Sequence, residues 1–280
     1  MMGKELTNPF MATPIENPLG SDEVRAPAEI AQASGIMLQG RWLKSFAFTT
    51  DVAVIHNTNA DAILAVYPFT GQPVINQAIL SVAQAPVFIG VGGGTTAGPR
   101  VLELAMFAEM QGAAGVVLNS PIDAETVSRV AAIVHVPVVA TVTGWNSMVG
   151  RKIDAGARII NVAAGKDTPE VVARIKELYP SIPLIASSGG SPESIRSTMN
   201  AGANALSWTP PSVENLQKEM MRHYRKGESA HGNKATDSSP THRMSGDSAH
   251  AFPDTHDVID THTTHEPRHK LRNQIDIDEC

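Results

Sequence analysis

The residues best equipped for chemistry lie in two glycine-rich stretches and a few polar positions that follow apolar runs. The first stretch, Ser187-Ser188-Gly189-Gly190-Ser191-Pro192-Glu193, ends the apolar run that starts at Ile182. Glycine has no Cβ, so the N–H groups of Gly189 and Gly190 can come close to an anion. A helix starting at Pro192 would add unpaired N–H groups and the positive end of its dipole. The same two glycines could instead serve only a tight turn. The second stretch, Gly92-Gly93-Gly94-Thr95-Thr96, is no Walker motif, because no Gly-Lys-Ser/Thr follows. It reads as a second anion pocket, a mobile lid, or a flexible loop before a helix near Pro99.

Four further residues are candidates for catalysis. Asp51 is a carboxylate at an early strand end, suited to a general base or to orienting a substrate hydroxyl; equally, it could cap the next helix. Lys166, in Gly165-Lys166-Asp167, could hold a phosphate or carboxylate. A Schiff base there is disfavoured, since such lysines lie within a strand where burial lowers their pKa. Asn119 and Asn161 occupy matching places in two strands and could bind substrate oxygens. Asp61 precedes a strand and is set aside as structural. His56 reads as a surface residue and His135 as structural. No His/Asp/Glu cluster has metal-site spacing, and no G-x-S-x-G elbow supports a serine hydrolase.

The elements that must position these residues repeat. One set of strand candidates begins with a proline: Pro86, Pro137 and Pro183. A second set begins with a small pair at Ala60, Gly112, Gly156 and Gly202. The two sets alternate, and a run at Leu43 brings the number of strands to eight. Each leads into a helix-like segment. Thr168-Pro169-Glu170 and Ser191-Pro192-Glu193 each supply a cap, a proline at the first helical position and an acid in the first turn. Near-continuous apolar strands alternating with helices predict parallel pairing, and eight units predict a closed, compact (β/α)8 TIM barrel rather than an open doubly wound sheet. Chemistry in such barrels sits at the C-terminal strand ends. A phosphate site would then be formed by Ser188, Gly189 and Gly190 after the seventh strand and by Ser207 and Thr209 after the eighth.

Composition narrows the class. Hydrophobic residues make up 42% of the 280 and aromatics 5%, which suits an aliphatic α/β core. A net charge of −6 with no basic stripe argues against a nucleic-acid partner. No apolar run approaches spanning length, so no membrane partner is expected. The single cysteine, Cys280, permits no intrachain disulfide and suits a reducing, cytoplasmic setting. Residues 1–40 read as an N-terminal extension with one helix-like patch, APAEIAQA, and residues 41–226 as the barrel. Residues 227–280, rich in His, Asp and Thr, read as a disordered tail whose histidines could bind metals weakly.

The string PLIASSGGSPESIRSTMNAGANAL resembles the seventh and eighth units of the ribulose-phosphate-binding type of barrel. The longer pattern through FAFTTDVAVIHNTNADAILAVYPFTGQPVI, GVGGGTTAGPRVLELAMFAEMQGAAGVVLN, INVAAGKDTPEVV and SWTPPS resembles an uncharacterised bacterial barrel family labelled "hydrolase". The likeness spans about Arg41 to Lys226. It implies phosphate binding at Gly189, Gly190 and the Ser207–Thr209 loop, and carries over no catalytic residue: the lysine of the related aldolases aligns near Asn161 or Val162. The expected function is an enzyme cleaving a phosphorylated metabolite, as a hydrolase or lyase, with no cofactor or metal. Two alternatives stand beside it: an FMN-dependent oxidoreductase using the same glycine-rich ends, and a non-catalytic sensor barrel for a phosphorylated ligand. A homo-oligomer is compatible with each.

Overall fold

The computed structural model describes residues 24–226. The expected tail and its histidines, and the first 23 residues, lie outside the described residues.

Eight parallel strands close into a barrel, as the repeat predicts. A two-stranded hairpin comes first: β1 (Ile36–Leu38) and β2 (Arg41–Leu43). The barrel strands are β3 (Ser45–Phe48), β4 (Ala62–Ala65), β5 (Val87–Gly92), β6 (Gly115–Leu118), β7 (Val138–Val142), β8 (Ile159–Val162), β9 (Leu184–Ser187) and β10 (Ala205–Trp208). Each pairs with its sequence neighbour, and β10 returns to β3. The helices are α1 (Val52–His56), α2 (Pro73–Val82), α3 (Pro99–Met110), α4 (Ala124–Ala131), α5 (Ser147–Asp154), α6 (Thr168–Leu178), α7 (Pro192–Asn200) and α8 (Val213–Arg225). A 3-10 turn, Gly165–Asp167, precedes α6.

The strands are buried on both faces because one face meets the lumen and the other the helices. Phe46, Leu64, Phe88, Val117, Val139, Ile159 and Ile185 fill the lumen. The Phe46 and Phe88 rings meet edge to face at 5.2 Å. Ala47, Ile63, Ile89, Val116, Ala140 and Ile160 belong to the outer shell with Val101, Leu104, Val172 and Ile175 of the helices.

The segment read as an N-terminal extension is built into the barrel from Val24 onward. APAEIAQA forms a 3-10 helix at Ala28–Gln32, with Ile30 buried in the outer shell. Ile36 and Leu43 of the hairpin pack into the lumen cluster, at the end where the barrel strands begin. The hairpin therefore covers the end of the barrel where the strands begin. Asp61 supports the same base: its Oδ2 accepts from the Lys44 and Ser45 N–H groups, each at 2.9 Å. α8 shows the reverse. It is helical as expected, yet none of its residues is buried.

Ser191 caps α7 as its motif predicts, accepting from the Ser194 N–H at 3.2 Å. The parallel reading at Thr168 fails. Thr168 is already inside α6, and its Oγ1 accepts from the Ala164 N–H at 3.1 Å, which ties down the preceding 3-10 turn. Gly156 and Gly202 end their helices at φ +104° and +109°.

Candidate functional site

Along the last four strands, the lumen changes from apolar to polar just below the mouth. Thr141, Asn161, Ser187 and Ser207 each stand two residues beyond an apolar lumen residue of the same strand: Val139, Ile159, Ile185 and Ala205. Period-2 alternation therefore aims all four inward. Register joins them, with Thr141 opposite Asn161 and Ser187 opposite Ser207. Asn161 Nδ2 donates to Thr141 Oγ1 at 3.2 Å, and the Ser187 and Ser207 hydroxyls lie 3.2 Å apart. Asn161 is 6% exposed, and its Oδ1 has no hydrogen-bond partner among the described residues. A buried amide oxygen without a donor costs about 1–3 kcal/mol, so this layer gains from any group that brings one.

Ser188, Gly189, Gly190, Ser207 and Thr209 converge at the ends of β9 and β10. Ser188 N–H and Oγ both bond the Ser207 carbonyl, at 3.1 and 3.3 Å. The Gly189 N–H donates to Ser194 Oγ at 3.0 Å, so a helix side chain already takes it. A Cβ on Gly189 would lie 2.7 Å from that same Oγ. Gly190 differs. Its φ lies outside the left-handed region, a Cβ there would meet nothing within 4 Å, and the residue is exposed beside the first turn of α7. Thr209 is exposed as well, whereas the Ser207 side chain is buried.

The second glycine-rich stretch is folded tightly. Gly93 N–H donates to the Thr96 carbonyl at 2.9 Å, and the buried Thr96 Oγ1 accepts from the Gly71 N–H at 2.9 Å. Gly93 and Gly94 adopt φ +95° and +68°. A Cβ on Gly92 would lie 2.7 Å from Val101, and one on Gly93 would lie 2.6 Å from Asn119 Cβ. Here the absent side chains let backbone and neighbours pack. Thr95 is exposed.

The four catalytic candidates do not form one constellation: no hydrogen bond or ion pair among the described residues joins them. Asp51 caps α1, its Oδ1 accepting from Ala53 and Val54 N–H at 3.0 and 3.3 Å. Lys166 is exposed in the 3-10 turn. Asn119 is half-buried against Gly93, on the far side of the barrel from β9. Asn161 belongs to the polar lumen layer of the last four strands, and Asn119, two residues beyond Val117, faces the mouth on another side. His56 Nδ1 lies 2.8 Å from the Val82 carbonyl, and both His56 and His135 are exposed. His135 sits beside Glu109, whose carboxylate accepts the Val136 N–H.

Sequence reasoning missed Lys152. It lies on the buried face of α5 with Val149, three residues before it, and is 3% exposed. Its Nζ donates to the Ser120 carbonyl at 2.9 Å and the Thr141 carbonyl at 3.3 Å. Burial pushes its pKa below the ordinary lysine value, and the nearby Asp123 charge opposes that shift. The signal available was a lysine on the apolar stripe of a short helix; among the described residues it is the charged residue that is fully buried.

No family model matches the chain, and no curated protein sequence matches it. Solved structures do. A phosphonopyruvate hydrolase complexed with oxalate and Mg2+ superposes with a TM-score of 0.51 at 16% identity, over 70% of this chain and 87% of its own. A Burkholderia cenocepacia J2315 protein assigned as a phosphonomutase reaches 0.53 at 14% identity, over 65% and 92%. A Pediococcus acidilactici protein assigned as a lactate oxidase reaches 0.51 at 14% identity, over 63% and 66%. These likenesses establish the TIM-barrel fold. All three proteins are named for enzymatic activities. No helix among the described residues is long and apolar enough to cross a membrane.

Proposed function

We propose that this chain is an enzyme acting on a small phosphorylated metabolite, by hydrolytic or lyase-type cleavage, with the phosphate held between the ends of β9 and β10. Gly190 carries the reading. Glycine loses more conformational freedom on folding than any other residue, so it costs stability wherever the fold does not need it. Neither backbone conformation nor packing among the described residues requires it at Gly190. A ligand approaching the backbone does, and the position lies just before a nine-residue helix whose positive end favours an anion, although Ser191 already takes the Ser194 N–H. The polar lumen layer below supplies hydroxyl and amide groups for the rest of the molecule. Neighbours named for phosphonopyruvate hydrolysis and phosphonate mutation lend support at the level of fold.

The chemistry available is restrained. Asp51 is committed to its cap, and among the described residues no group of three or more His, Cys, Asp or Glu side chains comes together to hold a metal ion. The same restraint favours a second reading, a sensor barrel that binds a phosphorylated ligand without turning it over. A panel of phosphorylated metabolites separates the two: the enzyme releases product, and the sensor gives saturable binding alone. Visible absorbance of the purified protein tests the flavin alternative. Gly190→Val should weaken phosphate binding at least tenfold, about 1.4 kcal/mol. Equal affinity in the folded variant would remove the phosphate site and the function built on it.

A further inference from the structure

A cleft of ≈ 210 Å3 opens between the ends of β6 and β7, lined by Ser120, Asp123, Val142, Thr143, Asn146 and Lys152 among others. None of these residues belongs to the β9–β10 turn. The N-termini of α4 and α5 both border the cleft, capped by Asp123 and Asn146. Lys152 Nζ carries three N–H groups. The Ser120 and Thr141 carbonyls take two of them. The lysine makes no ion pair among the described residues, although its side chain is almost wholly buried. Its hydrogen bonds go to neutral carbonyls and the Asp123 charge, near but outside ion-pair distance, compensates it only in part, so an anion beside it recovers some of the desolvation cost.

We propose that this cleft is a second binding site, for a small monocarboxylate, with Lys152 as its charged partner. Size and charge define the ligand. The volume is below the roughly 300–1,000 Å3 of pockets for drug-sized ligands and cofactors, so the occupant is small. The Asp123 carboxylate, fixed by the Thr126 N–H at 2.7 Å, also lines the cleft. It repels a phosphate dianion more than a monocarboxylate and can accept a hydrogen bond from a hydroxyl on the ligand. Ser120 and Thr143, whose hydroxyls lie 3.3 Å apart, add neutral hydrogen-bonding groups at the rim. A 2-hydroxy acid meets each requirement. The site stands independently of the phosphate reading, because the two share no residue.

Glycolate titrated into the full chain tests this by calorimetry, with inorganic phosphate as the comparison anion. Saturable glycolate binding is expected, at least tenfold weaker in Lys152→Met and unchanged in Gly190→Val. Phosphate should show the opposite pattern with the two variants. In the wild-type protein, glycolate should also shift the 13Cε signal of Lys152 and raise its titration midpoint, a readout that needs no variant to fold. Equal glycolate affinity in wild type and Lys152→Met, or an unmoved Lys152 signal at saturating glycolate, would show the lysine to be only a tie between strand ends. Phosphate binding lost in Lys152→Met but kept in Gly190→Val would overturn the carboxylate preference.

Discussion

The two glycine-rich turns look alike in sequence and do different work. In Gly92-Gly93-Gly94 the glycines answer to the fold: two sit at positive φ, and added Cβ atoms at Gly92 and Gly93 would collide with Val101 and Asn119. At Gly189-Gly190 the first glycine makes room for Ser194, and the second answers to nothing among the described residues. A run of glycines therefore carries functional information only after the conformational and steric reasons have been subtracted. Lys152 and Lys166 teach the same lesson in charge. The lysine at the expected strand end is exposed, and the one hidden on a helix lines a cleft.

The contrast can be broken by substitution, most severely at the first turn. Gly93→Ala combines a left-handed φ with a 2.6 Å clash and should cost roughly 2–4 kcal/mol in denaturant unfolding. A cost below about 1 kcal/mol would mean the loop relaxes and glycine is not required there.

Lys152→Met comes next. It leaves the Ser120 and Thr141 carbonyls without their donor, a loss of about 1–3 kcal/mol that relief of the buried charge partly offsets near neutral pH. The pH dependence carries its own sign. Because burial lowers the folded-state pKa, the unfolded chain binds more protons between that value and the ordinary 10.5. Wild-type stability should rise with pH across this window, while below it the cost of the buried charge is fully present. Lys176 is shifted the same way by burial, so the wild-type-minus-variant difference isolates Lys152. A difference that stays flat with pH would place Lys152 in solvent. Lys166→Met, on the surface, should stay within about 0.5 kcal/mol of wild type.

Gly189→Ala should cost about 1 kcal/mol, through displacement of Ser194 Oγ and loss of its hydrogen bond. Smallest of all is Gly190→Ala. With an ordinary φ and open space, it should leave stability within about 0.5 kcal/mol of wild type or raise it slightly. A large loss would return Gly190 to the turn and remove the observation on which the phosphate reading rests.

The barrel was legible because its signals repeat. Prolines and small pairs mark strand starts, and apolar strands are buried on both faces. The hairpin was not legible, for a physical reason. Ile36–Leu38 and Arg41–Leu43 are too short to show alternation, and the turn places Gln39 as well as Gly40 at positive φ, 49° and 80°. An Asn-Gly pair would have announced such a turn; glutamine does not. α8 shows the limit in the other direction, since its helical spacing of Val213, Leu216, Met220 and Tyr224 was plain and its lack of burial was not. At the mouth, strand ends could be read off, so the places of Asn161, Ser207 and Gly190 at or just past the ends of β8, β10 and β9 were legible. Side-chain commitments across the fold were invisible: Ser194 taking the Gly189 N–H, Thr168 tying Ala164, and Lys152 reaching from a helix to two strand ends.

The most direct test of the phosphate site reads the backbone itself. Inorganic phosphate titrated into 15N-labelled protein should shift the Gly190 and Ser191 amide signals along one saturable curve, while Gly93 and Gly94 stay in place. Shifts at Gly93 and Gly94 with Gly190 unmoved would contradict the account, because the anion would then sit on the turn whose glycines the fold already explains.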